Sequence, residues 1–168
     1  MTLELRSREK RIALLSGAAV VMALVGLPAA HATPPLGQAR AQTVWDGIYS
    51  KAQARRGEQA YKTACGYCHK DDLSGGFLDD GVGRAAALAG PQAFGSSFSN
   101  RWKDQTVGDF IYVLASTMPK DAPTSLSLET YVEIATYIFE KNEVPAGGSD
   151  LSADVAGLRE IGMTPGPR

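Results

Sequence analysis

The chain has 168 residues, with 17 Lys and Arg against 18 Asp and Glu, a formal charge of −1. That balance argues against a nucleic-acid binder, which needs a strong basic excess, and the length suits one ordinary domain beside a short leader. Only two cysteines and two histidines occur, so any thiol or imidazole chemistry has few places to reside.

Residues 1–32 read as a cleavable signal peptide. Arg6, Arg8, Lys10 and Arg11 precede an apolar run from Ile12 to Leu27, Pro28 breaks it, and Ala30-His31-Ala32 supplies the small-x-small site, which puts cleavage between Ala32 and Thr33. The alternative is an uncleaved anchor, for which the run is shorter than the roughly 20 residues that span a bilayer. Loss of the leader removes four basic and two acidic residues and leaves a mildly acidic mature chain.

From Val44 to the first cysteine the chain reads as helix, with Gln53, Ala54, Glu58, Gln59 and Ala60 as good helix formers. Gly57, Tyr61 and Cys65 recur every four residues and share one stripe. Gly57 is either the point where another helix crosses closely or a mid-helix weakness of about 1 kcal/mol. Periodicity alone leaves both open.

The string Cys65-Gly66-Tyr67-Cys68-His69 is the attachment sequence for c-type haem. Thiols three apart on a helical turn face one way and can form thioethers with the two vinyl groups of one porphyrin. His69 then comes under the iron and Tyr61 packs beside the macrocycle. A disulfide or redox dithiol is the competing reading of the cysteines, but a thioredoxin-like site wants a strand before it, and no strand alternation occurs in the mature chain. A structural zinc needs four ligands, and the string offers three. With His31 in the leader, His69 is the one imidazole of the mature chain, and with Met1 and Met22 gone, Met118 and Met163 are its methionines.

Leu73 to Asn100 is rich in Gly, Ser and Ala, too long a stretch for a structureless loop unless it folds around a macrocycle. A second helix begins at Thr106, a cap with Asp109 three residues on, and carries Val107, Phe110, Ile111 and Leu114 at helical spacing. It should end before Met118, because Pro119 disfavours helical geometry in the residue ahead of it. Met118 then stands at a stiffened loop entrance, the position of a ligand rather than of a core filler. The last helix runs from about Leu128 to Lys141, with Ser127 as cap, Glu129 and Lys141 matched to its dipole, and Tyr131, Ile134, Ala135, Ile138 and Tyr137 on the face that packs against the first helix. Asn142 and Pro145 stop it. The tail from Ala146 has a weak helical patch near Val155, Leu158 and Ile161, and either docks or stays mobile. Met163 lies in that tail, with little apolar support.

Between Val44 and Asn142 the chain resembles class I cytochrome c. The resemblance is carried by the attachment string, Gly57 and Tyr61 ahead of it, Met118-Pro119, and the late helix with Ile134 and Tyr137. It implies an all-α fold of three main helices around one covalently bound haem c, in a domain of residues 33–145 with a tail of residues 146–168. The first and last helices would cross at Gly57. Cys65 and Cys68 would be thioether anchors, His69 the proximal and Met118 the distal iron ligand. Leu88-Ala89-Gly90-Pro91 is similar to the family segment lining the proximal side, where a proline carbonyl often accepts the histidine hydrogen bond; here Ala86 stands where that proline is expected. Arg101 and Trp102 resemble residues that contact a haem propionate, the alternative for Trp102 being a half-buried aromatic.

The stretch Val44-Trp45-Asp46-Gly47-Ile48-Tyr49, followed by Gln53-Ala54 and Arg56-Gly57, is similar to small bacterial cytochromes c found alone or appended to quinoprotein dehydrogenases. The expectation is a periplasmic electron carrier, not itself an enzyme, that meets a quinoprotein dehydrogenase or an oxidase transiently and binds neither nucleic acid nor, once cleaved, the membrane. The alternative is a haem-bearing subunit or catalytic haem protein with an open or labile distal position.

Overall fold

Three long helices carry the architecture. In the computed structural model, which describes residues 42–166, the elements in order are Lys51–Ala64 (α1), Gly66–His69 (α2), Gly76–Phe77 (β1), Arg84–Ala85 (β2), Phe98–Trp102 (α3), Gln105–Thr106 (β3), Val107–Thr117 (α4), Leu128–Lys141 (α5), Val155–Arg159 (α6) and Gly162–Met163 (β4). The expected leader, residues 1–32, lies outside the described residues. The all-α class holds: the strands are two-residue antiparallel pairs, β1 with β2 and β3 with β4. Among the described residues no helix is long and apolar enough to cross a membrane.

The first helix starts later than its composition suggests. Val44–Asp46 is a separate 3-10 turn boxed by Thr43 and Asp46, and Gly47 ends it with φ +67. Ser50, in extended geometry, then opens α1 by accepting from the Gln53 N–H at 3.0 Å. A continuous helix from Val44 is thus corrected to a turn and a helix, because a left-handed residue and a local cap intervene.

Helix α1 crosses α5 at Gly57. A Cβ there would fall 1.8 Å from the Glu133 carbonyl oxygen, so the backbones meet at a distance only glycine permits, which settles the role left open above. One turn on, Tyr61 is fully buried and its ring meets Tyr137 at 5.3 Å between centroids. Helices α4 and α5 keep the boundaries their caps announce: Thr106 accepts from the Asp109 N–H at 3.1 Å, and Ser127 from the Thr130 N–H at 3.2 Å. Edge-to-face contacts of Phe98 and Trp102 with Phe110, and a tilted contact of Phe110 with Phe139, fill the space between α3, α4 and α5.

The C-terminal segment packs on this frame. Leu158, Ile161 and Met163 are all buried, and β4 pairs with β3, setting Met163 opposite Gln105. The expectation that Met163 lacks apolar support is therefore corrected. Sequence patterning misses this because the support comes from residues far away in the chain.

Candidate haem and iron site

The attachment string sits where one helix breaks into another. Cys65 leaves helical geometry at φ −127, its N–H still donating to the Tyr61 carbonyl at 2.7 Å, and α2 begins at once. The Cys68 and His69 amides both turn back to the Cys65 carbonyl, at 3.1 and 2.9 Å. This single turn places both thiols and the imidazole beside one another. The two cysteines are not joined in a disulfide, and both are half-buried. Burial, with Cys68 nearby, pushes the Cys65 thiol up to about 11, so it stays neutral at ordinary pH.

His69 is nearly buried, and its Nδ1 lies 2.8 Å from the Ala86 carbonyl oxygen. A carbonyl only accepts, so Nδ1 carries the proton and Nε2 keeps its lone pair for a metal. The returning loop makes this bond possible. The Gly75 N–H donates to the His69 carbonyl at 2.9 Å and the Leu88 N–H to the Leu73 carbonyl at 2.8 Å, and a Cβ on Gly75 would fall 2.5 Å from the Ala86 backbone. An alanine thus does through its main chain what a proline at that position would do. Asn142, at the end of α5, pins the same loop by donating to the Leu88 carbonyl at 2.8 Å.

Cys65, His69, Ala86 and Leu88 line one cleft together with Arg101, Trp102, Phe110, Leu114, Met118 and Ile138, and Phe94, Val113 and Thr117 complete it. Met118 is in extended geometry just past α4. Its N–H donates to the Leu114 carbonyl at 2.9 Å, and its carbonyl accepts from the Tyr131 hydroxyl at 2.8 Å, so the backbone on both sides of the thioether is held. Met163 is not part of the cleft. The structure thus brings His69 and Met118 to one apolar space from segments almost fifty positions apart.

Two expected residues lie elsewhere. Tyr61 is not in the lining; it faces Tyr137, and its hydroxyl donates to the Lys70 carbonyl at 2.8 Å, bracing the turn that follows the string. Pro91 is exposed beside Gly90 and is likewise outside the lining. Cys68 is at the margin, half-buried and not in the wall. Sequence reasoning passed over Phe94, Val113, Thr117 and Ile138 as wall residues. The spacing of Phe110, Val113, Leu114 and Thr117 along α4 was the available signal.

The residues present fit a covalently held haem. The Cys65 thiol, an imidazole with its tautomer fixed and the Met118 thioether line one apolar cleft, with Cys68 at its margin on the same turn. The Trp102 Nε1 is buried with no hydrogen-bond partner among the described residues, a donor left for an acceptor such as a bound group would bring. Arg101 lays its guanidinium 4.6 Å from the Trp102 ring centroid and adds positive charge at that rim, which suits a propionate. Among the described residues no group of three or more His, Cys, Asp or Glu is arranged to hold a metal ion.

Comparison with curated proteins and with solved structures found no significant match. A family model described as cytochrome C oxidase, cbb3-type, subunit III matches residues 52–138, a span that covers more than half the chain and runs from α1, through the attachment string, Ala86, Trp102 and Met118, into α5. With the crossing at Gly57, the His69–Ala86 bond and the shared cleft in place, the chain belongs to this family of c-type cytochrome domains, and is a cytochrome c of class I type that carries electrons on covalently bound haem c.

Proposed function

We propose that this protein is an exported, single-haem electron carrier of the periplasm, with Cys65 and Cys68 as thioether anchors, His69 as proximal and Met118 as distal ligand. The observation that carries the reading is the placement of His69 and Met118 in one apolar cleft. Bound haem supplies reversible one-electron exchange between Fe(III) and Fe(II). The chain's part is to hold it. Ala86 orients the His69 ring and fixes its tautomer, Met118 would supply the second protein ligand to the iron, and Leu88, Phe110, Leu114 and Ile138 would keep water out, which would favour the less charged reduced state. With His69 and Met118 both engaged, a bound iron would have no site left for a substrate, which supports a carrier rather than an enzyme. The resemblance around Val44–Tyr49 supports a quinoprotein dehydrogenase as donor, with an oxidase as acceptor.

A second reading has its own support. The family's description names an oxidase subunit, which favours a haem-bearing subunit held permanently in a larger complex.

The test uses protein purified from an exporting host. Intact mass after denaturation should equal a chain starting at Thr33 plus one haem, and candidate dehydrogenases should reduce it in stopped flow. Redox encounters of this kind usually bury less than about 1,200 Å², so the protein should elute alone. A bare-polypeptide mass overturns the haem assignment. Elution as a fixed stoichiometric complex replaces the carrier by the subunit.

A further inference from the structure

The segment after α5 lies beyond the family match, yet it is laced into both halves of the haem site. Near its start the Gly147 N–H donates to the Tyr49 carbonyl at 2.7 Å, and a Cβ on Gly147 would fall 1.9 Å from the Gly47 carbonyl oxygen. Gln53 of α1, nearly buried, then clasps the main chain of Leu151 twice: its Nε2 donates to the Leu151 carbonyl at 2.8 Å and its Oε1 accepts from the Leu151 N–H at 2.7 Å. Beside this clasp Arg56 pairs with Asp150 at 2.7 Å. Helix α1 leads directly into Cys65 and His69.

The far end of the segment grips α4. The first amide of α4, Val107 N–H, has no partner within its own helix and donates to the Ile161 carbonyl at 2.9 Å. Gly108 lies against the Arg159 backbone, where a Cβ would stand 3.1 Å from the Arg159 nitrogen and 2.8 Å from its Cγ. Pairing of β4 with β3 fixes the register, and the Trp45 indole N–H holds the Thr164 carbonyl at 2.7 Å. Helix α4 ends at Met118. Its hydrogen-bonded turns make it a rod of about 16 Å, at 1.5 Å per residue, so a displacement at Gly108 is passed on to the thioether.

We propose that residues 147–164 form a brace between α1 and α4, with Gly108 and Ile161 as positioning residues, that fixes α4 along its axis and so sets where Met118 stands relative to His69. This rests on the haem-carrier reading above. The brace acts on the distal ligand without contributing a wall to the cleft.

The test takes full-length, haem-loaded protein and compares Gly108→Leu, which drives a side chain into α6, with Gln53→Ala, which releases the clasp from the other end. Neither position lines the cleft. Both should weaken the far-red charge-transfer band of thioether-ligated ferric iron, raise the cyanide association rate by about tenfold, within the usual range of coupling between sites, and speed hydrogen exchange in α4. Val155→Asp, on the exposed side of α6, should change none of these. In a Met118→Ala background, Gly108→Leu should add nothing to the cyanide rate. If exchange shows α6 and β4 released while band and cyanide rate stay at wild type, the brace is overturned, as it is if Gly108→Leu raises the rate equally with Met118 absent. Should Gly108→Leu not fold, Gln53→Ala decides on the same measurements. A wild type that binds haem without the thioether band removes the Met118 assignment and the brace together, whereas a normal wild-type band with insensitive variants removes the brace alone.

Discussion

Met118 and Met163 carry the same thioether into very different surroundings. Met118 lines the cleft with His69 and has its main chain held by Leu114 and Tyr131, while Met163 is enclosed in β4 opposite Gln105. Replacing Met118 by Ala should open the iron to cyanide and carbon monoxide and lower the midpoint potential, since a histidine–methionine pair raises it. Met163→Leu should leave both unchanged and cost less than about 1.5 kcal/mol, as volume-conserving core swaps do. Ligand titration and voltammetry on the two variants check this, and the opposite pattern would reassign the ligand. The string Cys65–His69 and Met118-Pro119 were legible because each is a local pattern. Pro91 and Tyr61 stand outside the cleft lining, since nearness in sequence does not say which way a side chain turns. Tyr61 shares the stripe of Gly57, and Gly57 faces Glu133, so the tyrosine meets α5.

Helices α4 and α5 could be read to within a residue because their boundaries are written in side chains three positions apart, Thr106 with Asp109 and Ser127 with Thr130. The start of α1 is less legible: Val44–Tyr49 has helical composition, and only Gly47 and the Ser50 cap interrupt it. Residues 73–100 resist reading, since their strands and turns are two or three residues long, and in the tail only the helical patch at Val155 and Leu158, which is α6, is legible, the rest being fixed by distant partners such as Ile161 with Val107. Two predictions belong here. Gly57→Val places atoms where the Glu133 carbonyl stands, so α1 and α5 must part, and denaturant unfolding should show a loss of about 3 kcal/mol or more. The second concerns acid. The Thr106 N–H and hydroxyl hold the Asp109 carboxyl below its ordinary value, and Ser50 followed by Arg56 does the same for Asp150. Folded values below the unfolded one, near 3.9, mean that these groups stabilise the fold above about pH 4 and cease to as pH falls through the depressed values. The melting temperature should therefore drop on acidification below about pH 4, with exchange in α4 and the C-terminal segment rising first. Asp109→Asn should flatten that dependence, and an unchanged profile would remove the cap from the explanation.

At the scale of the molecule, the question is how a nearly neutral protein finds its partners. Positive and negative charges almost cancel over the chain, so no strong long-range field steers an encounter, and what steering there is comes from single charges near the haem edge. Lys70, immediately after the attachment string, lies 3.7 Å from Asp79, so even this charge is partly offset. Within the string Tyr67 is 72% exposed, which gives the rim an apolar contact that salt does not screen. Raising ionic strength from low values to about 0.15 M shortens the screening length to about 8 Å. The rate of reduction by a donor should then fall by less than about tenfold, well short of the 10- to 1,000-fold changes seen with strongly steered pairs. Lys70→Glu should shift the low-salt rate by a similar factor and lose its effect at high salt, while Tyr67→Ser should slow the reaction equally at both. Stopped-flow traces across a salt series separate the two contributions. A rate that collapses with salt would mean that the partner reads a charged patch elsewhere on the surface, and a rate indifferent to Tyr67 would move the electron exit away from the thioether edge.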